Sequence, residues 1–530
     1  MKNTVQNQWA SPLSRLCGAS RRAVLSTTLS AVASGVLCAL LLGAMPTAFA
    51  AGAGDAGDLP QAIASALRET GVAAKSAAVW VAPAGSRTPV LSINADRPMQ
   101  PASTIKIVTT LAALDLLGPA HRFTTEFRAQ ALPDAQGRVR NLTVVGGGDP
   151  HYVIERLWLA AQRLSGMGVR TIEGDVTIDR SLFELADYKQ GAFDGRGTRS
   201  YNVGADPAMV SFKSMTLTLT PVPEKGVALV TALPVLQGVA FPKTVKLVKG
   251  ACGDWKGRLK ADTTNPRNIR FKGSFPAACG EKALHLSLLP ADDYFTRAFK
   301  HVLTQNGIVW KGRAVGADGR TKPDKGASTL LFADDSGPLA QSVYWTNKFS
   351  NNPMARQIFL ALSFAADAGD SAQKKGAAPA TLEKSRGVLA RWLTDRAGVS
   401  GKLAPYVDNG SGLSRSTRIS ARALGEVLDY GFRSAVMPEF MTSLPVTGVD
   451  GTMKRRPLEA GSGHVKTGFL TNVRATAGYV TDDRGMRWTV VAMVNADPMP
   501  EKAQDFTQAV LNWCAAGGAR RAFQEQRAKK

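Results

Sequence analysis

The chain has 530 residues, of which 44% are hydrophobic and 20% are charged. This composition is typical of globular proteins and excludes an intrinsically disordered chain, and the length suffices for two or more domains. The net charge of +23 favours anionic surroundings and permits peripheral contact with an anionic membrane surface or wall polymer. Because the sequence has no nucleic-acid motif and no basic helix with interleaved aromatic residues, we exclude nucleic acid as a partner.

The first 50 residues have the features of an export signal. Arg21 and Arg22 precede a run without charges, and Ala48-Phe49-Ala50 has the small-x-small form of a cleavage site. We therefore predict a cleaved signal peptide over residues 1–50 and a periplasmic protein. The arginine pair partly resembles a twin-arginine signal, so both that route and the general secretory route stay open. An uncleaved anchor is the alternative, since the apolar run is long enough to span a bilayer.

The cysteines fit an oxidising compartment. Cys17 and Cys38 lie within the signal, whereas Cys252 and Cys279 flank a loop-rich, basic segment and are expected to form a disulfide. Cys514 lies in a helical pattern and is predicted to be buried. The five histidines have no metal-ligand spacing, so we expect neither a metal nor another cofactor.

The first structural pattern after the signal leads to a Ser-x-x-Lys motif. A short helix over 58–70 and two strands over 76–82 and 90–94 precede the stretch PASTIKIVTTLAALDLLG. This stretch is typical of a loop that turns into a helix. Ser103 and Lys106 are three residues apart on it and share a face, so the amine can reach the hydroxyl. A lysine with a lowered pKa can activate a serine, although a solvated pair at a helix start is the alternative.

Short strands and turns dominate the chain after Arg122. Strands are predicted over 124–132, 141–145, 175–179, 216–220 and 227–232, and helices over 154–167 and 292–306. The glycine cluster at 146–150 favours a turn, because no Gly-Lys-Ser/Thr follows it as a phosphate loop would need. We predict an inserted domain over 124–330, with an inner β-rich domain around 215–285, on the usual size of domains.

Helical patterns return from Ser336, and the chain ends with strands and a helix. The predicted elements are a helix near 353, a loose loop over 366–380, a helix over 382–397, a turn-rich segment over 408–416, strands over 464–466, 475–481 and 488–495, and a helix over 501–515. Residues 51–123 and 331–515 are therefore assigned to one domain, followed by a basic tail over 516–530.

Two further short motifs follow the first in chain order. They are Ser350-x-Asn352 at a helix start and Lys466-Thr467-Gly468 on a strand. Acyl transfer needs a nucleophile with a base, a hydroxyl and amide pair that relays a proton and holds the substrate, and a cationic strand that binds a carboxylate. The three motifs together supply each of these, and they are the element set of the penicillin-recognising serine enzymes.

The resemblance extends beyond the motifs. The segments VDNGSGLSR, GVDGTMKRRP and VKTGFLTNVRATAGYV resemble those of the low-molecular-mass class C penicillin-binding proteins, the D-alanyl-D-alanine carboxypeptidase/endopeptidases, and GGGDP and DRSLFE resemble parts of their inserted region. The resemblance implies an α+β fold. Its core would be β-lactamase/transpeptidase-like, an antiparallel sheet flanked by helices, and its large β-rich insertion would consist of two nested domains.

The resemblance also implies catalytic roles. Ser103 would attack the carbonyl of a D-Ala-D-Ala bond or of a peptide cross-link, and Lys106 would be the general base. Ser350 and Asn352 would position the leaving amine and the substrate, and Lys466 would bind carboxylate and support proton transfer.

Substrate binding is implied for the same strand. Thr467 would hydrogen-bond the substrate carboxylate, Gly468 completes the motif, and the N–H groups of Ser103 and Phe469 would form the oxyanion hole. The family usually has a small hydroxyl residue where this chain has Phe469, and some relatives have a longer amide side chain where it has Thr471. These two departures bear on substrate preference and leave the acylating residues intact.

Three further positions match substrate-facing residues of the family. Lys348 lies two residues before Ser350 and would assist electrostatically, and Arg415 and Asp179 would face the side chain of the cross-linking residue. An ordinary surface or ion-pair role is the alternative for the two cations. Asp179 has the alternative of a turn or cap, which Asp favours.

We therefore predict an exported serine-type D-Ala-D-Ala carboxypeptidase with DD-endopeptidase activity on peptidoglycan peptides, which β-lactams inhibit. Two alternatives stay open. One is a β-lactamase or esterase on the same scaffold, and the other is a non-catalytic protein that binds the cell wall.

Overall fold

A helix and two strands lead into the segment that carries Ser103. The computed structural model describes residues 59–317, 329–365 and 378–529. The signal predicted for 1–50 and nearly all of the loop predicted for 366–380 therefore lie outside the described residues. The first elements are α1 (Gln61–Thr70), β1 (Ala77–Pro83), β2 (Leu91–Ile93), a 3-10 turn (Ala102–Ile105) and α2 (Lys106–Leu117).

The region between α2 and residue 335 is rich in strands. Its elements are β3 (Thr124–Ala129), β4 (Arg138–Val145), α3 (Ile154–Gly166), β5 (Thr171–Asp179), β6 (Met215–Val222), β7 (Val227–Leu233), β8 (Thr244–Val248), α4 (Trp255–Arg258), β9 (Leu259–Asp262), β10 (Arg270–Gly273), β11 (Phe275–Pro276), β12 (Lys282–Leu286), α5 (Ala291–Gln305), β13 (Val309–Trp310), β14 (Ala314–Ala317) and β15 (Thr329–Asp335). A mixed sheet has the order β13-β5-β4-β3-β15, and β14 also pairs with β5. A second sheet has the order β11-β8-β7-β6-β12, and β9 pairs with β10. The domain boundaries themselves stay a prediction.

The remaining chain is mainly helical before it forms a three-stranded meander. Its elements are α6 (Leu339–Lys348), α7 (Asn352–Ala365), α8 (Leu382–Asp395), α9 (Ala421–Arg433), α10 (Met437–Ser443), β16 (Gly463–Leu470), β17 (Val473–Thr481), β18 (Arg487–Asn495), α11 (Ala503–Ala515) and α12 (Gly518–Ala528). The meander joins the first strands of the chain in an antiparallel sheet of order β16-β17-β18-β1-β2. We call this the catalytic sheet. Strand β16 lies at its edge.

The catalytic sheet is covered by helices on both faces. Along β1, Ala78, Trp80 and Ala82 pack into a core with residues of α2, α7, α8 and α9. The alternating residues Val79 and Val81 pack into a second core with residues of α1 and α11. Because successive side chains of a strand point to opposite faces, a strand covered on both sides must be apolar throughout. This explains the sequence AAVWVAP, and the predicted α+β fold with helices around an antiparallel sheet is confirmed.

The basic tail predicted after residue 515 is in fact a helix, α12. Gly517 has a left-handed φ of +73° and forms the turn between α11 and α12. Ala519 is buried, and the ring of Phe523 lies 6.3 Å from that of Trp488. Arg520 pairs with Asp482 at 3.2 Å. The prediction was wrong because the charge of this segment obscured the apolar residues, spaced by three and four, that attach it to the core.

Two predictions about cysteine are confirmed. Cys252 and Cys279 form a disulfide next to the sheet of order β11-β8-β7-β6-β12, which we call the inner sheet. Cys514 is a buried free thiol. Within the described ranges, no helix is long and apolar enough to cross a membrane.

Candidate active site

Ser103 and Lys106 meet at the start of α2. The 3-10 turn holds Ser103, and Lys106 is the first residue of the α-helix. The Lys106 side chain is fully buried, and its Nζ lies 2.9 Å from Ser103 Oγ. It also lies 2.7 Å from Asn352 Oδ1 and within hydrogen-bond distance of the Ser411 carbonyl. Two further oxygen atoms therefore hold the amine against the hydroxyl.

The environment of Lys106 favours the neutral amine. Burial lowers its pKa well below the ordinary value, and the cations Lys466 and Arg356 lower it further. A neutral lysine has a lone pair that can accept the Ser103 proton. The site therefore has a nucleophile beside an amine whose neutral, basic form is favoured.

A second serine hydroxyl is bound by a second buried lysine. Ser350 stands in the turn between α6 and α7, and Lys466 Nζ donates a hydrogen bond of 2.9 Å to its Oγ. Lys466 also donates to the Thr467 carbonyl at 3.0 Å and is fully buried, which lowers its pKa to about 7. Ser350 has a left-handed φ of +56°. Such backbone strain in a residue other than glycine is uncommon and is concentrated at functional sites.

The Ser103 segment is fixed by close backbone packing on two sides. A Cβ atom on Gly468 of β16 would lie 2.6 Å from the Pro101 carbonyl oxygen. A Cβ on Gly412 would lie 2.0 Å from the Ala102 carbonyl oxygen, and Gly412 has a left-handed φ of +81°. Only glycine permits these approaches. The third motif thus contributes to the position of the first, in addition to its own side chains.

A cleft of about 490 Å³ opens above Ser103. We call it the Ser103 cleft; its walls include Ser103, Phe193, Asp194, Arg196, Tyr201, Asn352, Gly412, Leu413, Arg415, Phe469, Leu470 and Thr471. The exposed fraction of Phe469 is 63%, and the Arg474 guanidinium lies 3.8 Å from its ring centre. Phe469 therefore borders the cleft and leaves it open.

The other residues predicted to bind substrate differ in whether they border this cleft. Thr467 donates a 2.9 Å hydrogen bond to Thr452 Oγ1. Arg415 borders the cleft, with its guanidinium 4.5 Å from the Phe193 ring centre. Lys348 is buried beneath Ser350, where it donates to the Leu444 carbonyl and to Asp450 Oδ2, each at 2.7 Å. Lys348 is thus placed to hold the neighbouring loop.

Asp179 lies away from these residues, at the end of β5. Its Oδ1 accepts a hydrogen bond of 2.8 Å from the Ser181 backbone N–H. It is not among the described residues that border the Ser103 cleft. This geometry fits the turn role that was its alternative, and a role in substrate binding stays a prediction.

Several site residues were not found from the sequence. Asp194 accepts hydrogen bonds from Tyr201 Oη at 2.8 Å and from Asn202 Nδ2 at 2.7 Å. Burial raises its pKa, but these hydrogen bonds outweigh burial and hold the pKa below the ordinary value. Asn352 Nδ2 donates to the Tyr201 carbonyl at 3.1 Å, so the segment before β6 contacts the Ser-x-Asn motif. Arg356 lies one helical turn after Asn352, and that spacing could have identified it.

Within the described parts of the chain, no group of three or more His, Cys, Asp or Glu residues is placed to hold a metal ion.

Comparison with known proteins identifies the family of the chain. The sequence model of the D-Ala-D-Ala carboxypeptidase 3 (S13) family matches residues 59–516. The chain is 27% identical to a D-alanyl-D-alanine carboxypeptidase of Actinomadura sp. (strain R39) over 513 residues, 92% of this chain and 90% of the relative. It is 26% identical to the D-alanyl-D-alanine carboxypeptidase DacB of Haemophilus influenzae over 415 residues, 77% of this chain and 82% of the relative.

A solved structure shares the fold. The crystal structure of penicillin binding protein 4 (dacB) from Haemophilus influenzae superposes with a TM-score of 0.65 at 22% identity, covering 84% of this chain and 97% of that chain. The predicted family and enzyme class are confirmed. The chain is a serine-type peptidase that belongs to the D-Ala-D-Ala carboxypeptidase 3 (S13) family, among the low-molecular-mass class C penicillin-binding proteins.

Proposed function

We propose that this D-Ala-D-Ala carboxypeptidase is exported, works through an acyl-enzyme on Ser103 and also cleaves peptide cross-links in peptidoglycan. The observation that carries the proposal is the buried Lys106 amine, which lies 2.9 Å from Ser103 Oγ. A buried amine in contact with a serine hydroxyl and near two cations is suited to proton transfer and has no evident structural purpose.

Acylation begins at Ser103. Its Oγ attacks the carbonyl carbon of the penultimate D-Ala while its proton passes to the Lys106 amine. The carbonyl becomes a tetrahedral oxyanion, for which the N–H groups of Ser103 and Phe469 are the proposed donors. Strand β16 is the edge strand of the catalytic sheet. Its first half bonds outward to the Pro445 carbonyl and the Thr447 N–H, whereas no described strand pairs with the outward side near Phe469. This supports Phe469 as a donor.

Collapse of the intermediate breaks the C–N bond. The departing amine takes a proton from the Ser350 hydroxyl, which lies 2.9 Å from Lys466 Nζ and can be reprotonated through it. Asn352 contacts Lys106 through its oxygen atom and presents its amide at the border of the cleft. Lys106 first loses to solvent the proton that it took from Ser103, and it then accepts a proton from the water that attacks the ester carbonyl. The ester C–O bond breaks, Ser103 Oγ takes that proton back, and the shortened peptide leaves.

Recognition of the carboxylate is assigned to the third motif. When protonated, Lys466 supplies a positive charge beneath the end of the substrate, and the Thr467 hydroxyl is exposed next to it. Gly468 lets the strand approach the Ser103 segment. Penicillins carry both a carboxylate and a reactive amide, so we expect them to acylate Ser103. Arg415 is proposed to face the side chain of the cross-linking residue.

Location follows from the predicted signal. Cleavage after Ala50 would deliver the enzyme to the periplasm, where its substrate lies. The net charge of +23 supports contact with an anionic wall polymer or membrane surface. The N-terminal sequence of the mature protein tests the cleavage site: residue 51 should be the first.

Substrate turnover tests the proposed chemistry. The wild type should release D-Ala from a peptidoglycan pentapeptide, and Ser103→Ala and Lys106→Met should each lower kcat by about 10³-fold or more. Ser181→Ala is the matched control, because Ser181 lies at the turn after β5. Turnover of the pentapeptide by Ser103→Ala at the rate of the wild type would contradict the acyl-enzyme.

A further inference from the structure

A second cavity opens beside Ser350. Its volume is about 500 Å³, and it lies between the start of α7 and the inner inserted sheet. Phe349 and Ser350 form one wall, and Thr216, Leu233 and His285 belong to the opposite wall. We call it the Ser350 cavity.

The Ser350 cavity and the Ser103 cleft meet at two shared residues. Tyr201 and Asn352 border both spaces. Ser103 opens onto the first space and Ser350 onto the second. In the proposed mechanism the acyl group stays on Ser103, whereas the amine that takes its proton from Ser350 departs. The Ser350 cavity is therefore on the departing side of the scissile bond.

The volume of the cavity exceeds what a carboxypeptidase needs. A departing D-alanine is a single small amino acid, whereas cavities of about 300–1,000 Å³ hold ligands of the size of a drug molecule or a short peptide. A space of about 500 Å³ thus suits several residues. The departing strand of a peptide cross-link has that size.

A row of aromatic rings connects the two walls. Phe349 is 62% exposed, and its ring stacks on Trp345 with 5.5 Å between centres. Trp345 stacks on His151 at 6.1 Å, and His151 lies 6.0 Å from Phe212. Exposed aromatic faces bind amphipathic ligands well, because they offer a large rigid surface at low entropic cost.

Phe212 is held toward the cavity by a strained turn. Its φ is +57°, and the neighbouring Ser211 and Lys213 have φ values of +43° and +48°. Left-handed φ in a bulky residue is unfavourable and persists where the surroundings impose it, often at ligand sites. Three such residues in succession indicate that the position of this ring is specified.

The lining is mixed in a way that suits a peptide. The rings and Leu233 offer apolar surface, and Ser200, Thr216 and Asn351 offer hydroxyl and amide groups. His285 pairs with Thr216 Oγ1 at 2.9 Å, and burial lowers its pKa, so the imidazole favours the neutral form. These neutral polar groups can pair with backbone amides, and Glu155 adds one carboxylate to the lining.

We propose that the Ser350 cavity is the subsite for the departing peptide strand of a peptidoglycan cross-link. This inference rests on the proposed endopeptidase activity and explains how one active site accepts both substrates. A pentapeptide leaves the cavity empty, whereas a cross-linked dimer fills it. The cavity should then contribute to cleavage of the dimer alone.

Two variants test the subsite. Phe212→Gly removes the ring and relieves the left-handed strain, so folding should not suffer, and Leu233→Asp puts a charge on an exposed residue of the far wall. Each should lower kcat/KM for a purified cross-linked muropeptide dimer about tenfold. D-Ala release from the monomeric pentapeptide and the rate of penicillin acylation should stay within about twofold. Leu132→Asp is the control, because Leu132 is 62% exposed and Leu233 60%.

The outcomes separate the two proposals. An equal loss on both substrates, or unchanged dimer cleavage by both variants, would overturn the subsite. Release of D-Ala by the wild type without any cleavage of the dimer would overturn it too, while the carboxypeptidase mechanism stood. Absence of both D-Ala release and a penicillin adduct would instead refute the proposed function and the subsite with it.

Discussion

Lys466→Met should make the protein more stable at acidic pH while it removes activity. Lys466 is fully buried, and burial lowers its pKa to about 7. Below that pH the folded protein carries a buried cation. Methionine is similar in length and bears no charge, so the substitution removes the unfavourable burial of a charge without leaving a large cavity.

The sign and size follow from proton linkage. In the unfolded chain this lysine has its ordinary pKa of 10.5, so between about pH 7 and 10.5 the unfolded state binds more protons than the folded state. The free energy of unfolding of the wild type therefore rises with pH across this window. A lowering from 10.5 to about 7 corresponds to at most about 5 kcal/mol. Each of the two lost hydrogen bonds, to Ser350 and to Thr467, offsets about 1 kcal/mol of this gain in stability.

We therefore expect Lys466→Met to be about 2–3 kcal/mol more stable than the wild type at pH 6. That advantage should disappear by about pH 10, because the pH then approaches the unfolded pKa of 10.5 and little free energy is spent on removing the proton during folding. Urea unfolding at both pH values measures it, with the exposed Lys454→Met as control. Penicillin acylation by Lys466→Met should fall by about 100-fold or more. A variant less stable than the wild type at pH 6 would contradict a cost of burying the Lys466 charge. So would a difference in the free energy of unfolding that does not change with pH.

Two further predictions concern the frame of the site. Gly412→Ala should lower penicillin acylation about 100-fold, because its Cβ would lie 2.0 Å from the Ala102 carbonyl oxygen. Gly461→Ala, with a similar φ of +84° and open space around it, should keep the wild-type rate. Loss of the Cys252–Cys279 disulfide, which spans 27 residues, should destabilise the inner sheet by about 3–4 kcal/mol. Faster amide hydrogen exchange in this sheet should report that loss of stability. A fall in the rate of penicillin acylation as well would show that the sheet and the site are coupled.

Local patterns predicted the motifs and most elements around them. The spacing of Ser103 and Lys106 alone places an amine within reach of a hydroxyl, and the structure brings them to 2.9 Å. The apolar strand β1, the neighbouring strands β17 and β18 and the disulfide were likewise predicted from the sequence. The amphipathic helix α9, whose Ser420 side chain accepts from the Ala423 N–H, was missed although its cap and periodicity were readable.

Contacts between distant segments could not be predicted in this way. The Ser411 carbonyl reaches Lys106 across more than 300 residues of sequence, and a turn-rich segment does not indicate which of its carbonyls faces inward. Asp194 and Tyr201 belong to a segment before β6 whose own pattern gives no sign that it contacts Asn352. The pKa of Lys106 also depends on Arg356 and Lys466, which only the folded chain brings together.

The proposed acyl-enzyme on Ser103 is tested most directly by the intact mass of the purified mature protein after incubation with a penicillin. Ser103→Ala is measured beside it. We expect a stable covalent adduct of one penicillin on the wild type and none on Ser103→Ala. An adduct of the same size on Ser103→Ala would contradict it, because another residue would then be the nucleophile. Absence of an adduct on the wild type, without turnover of the drug, would contradict it as well.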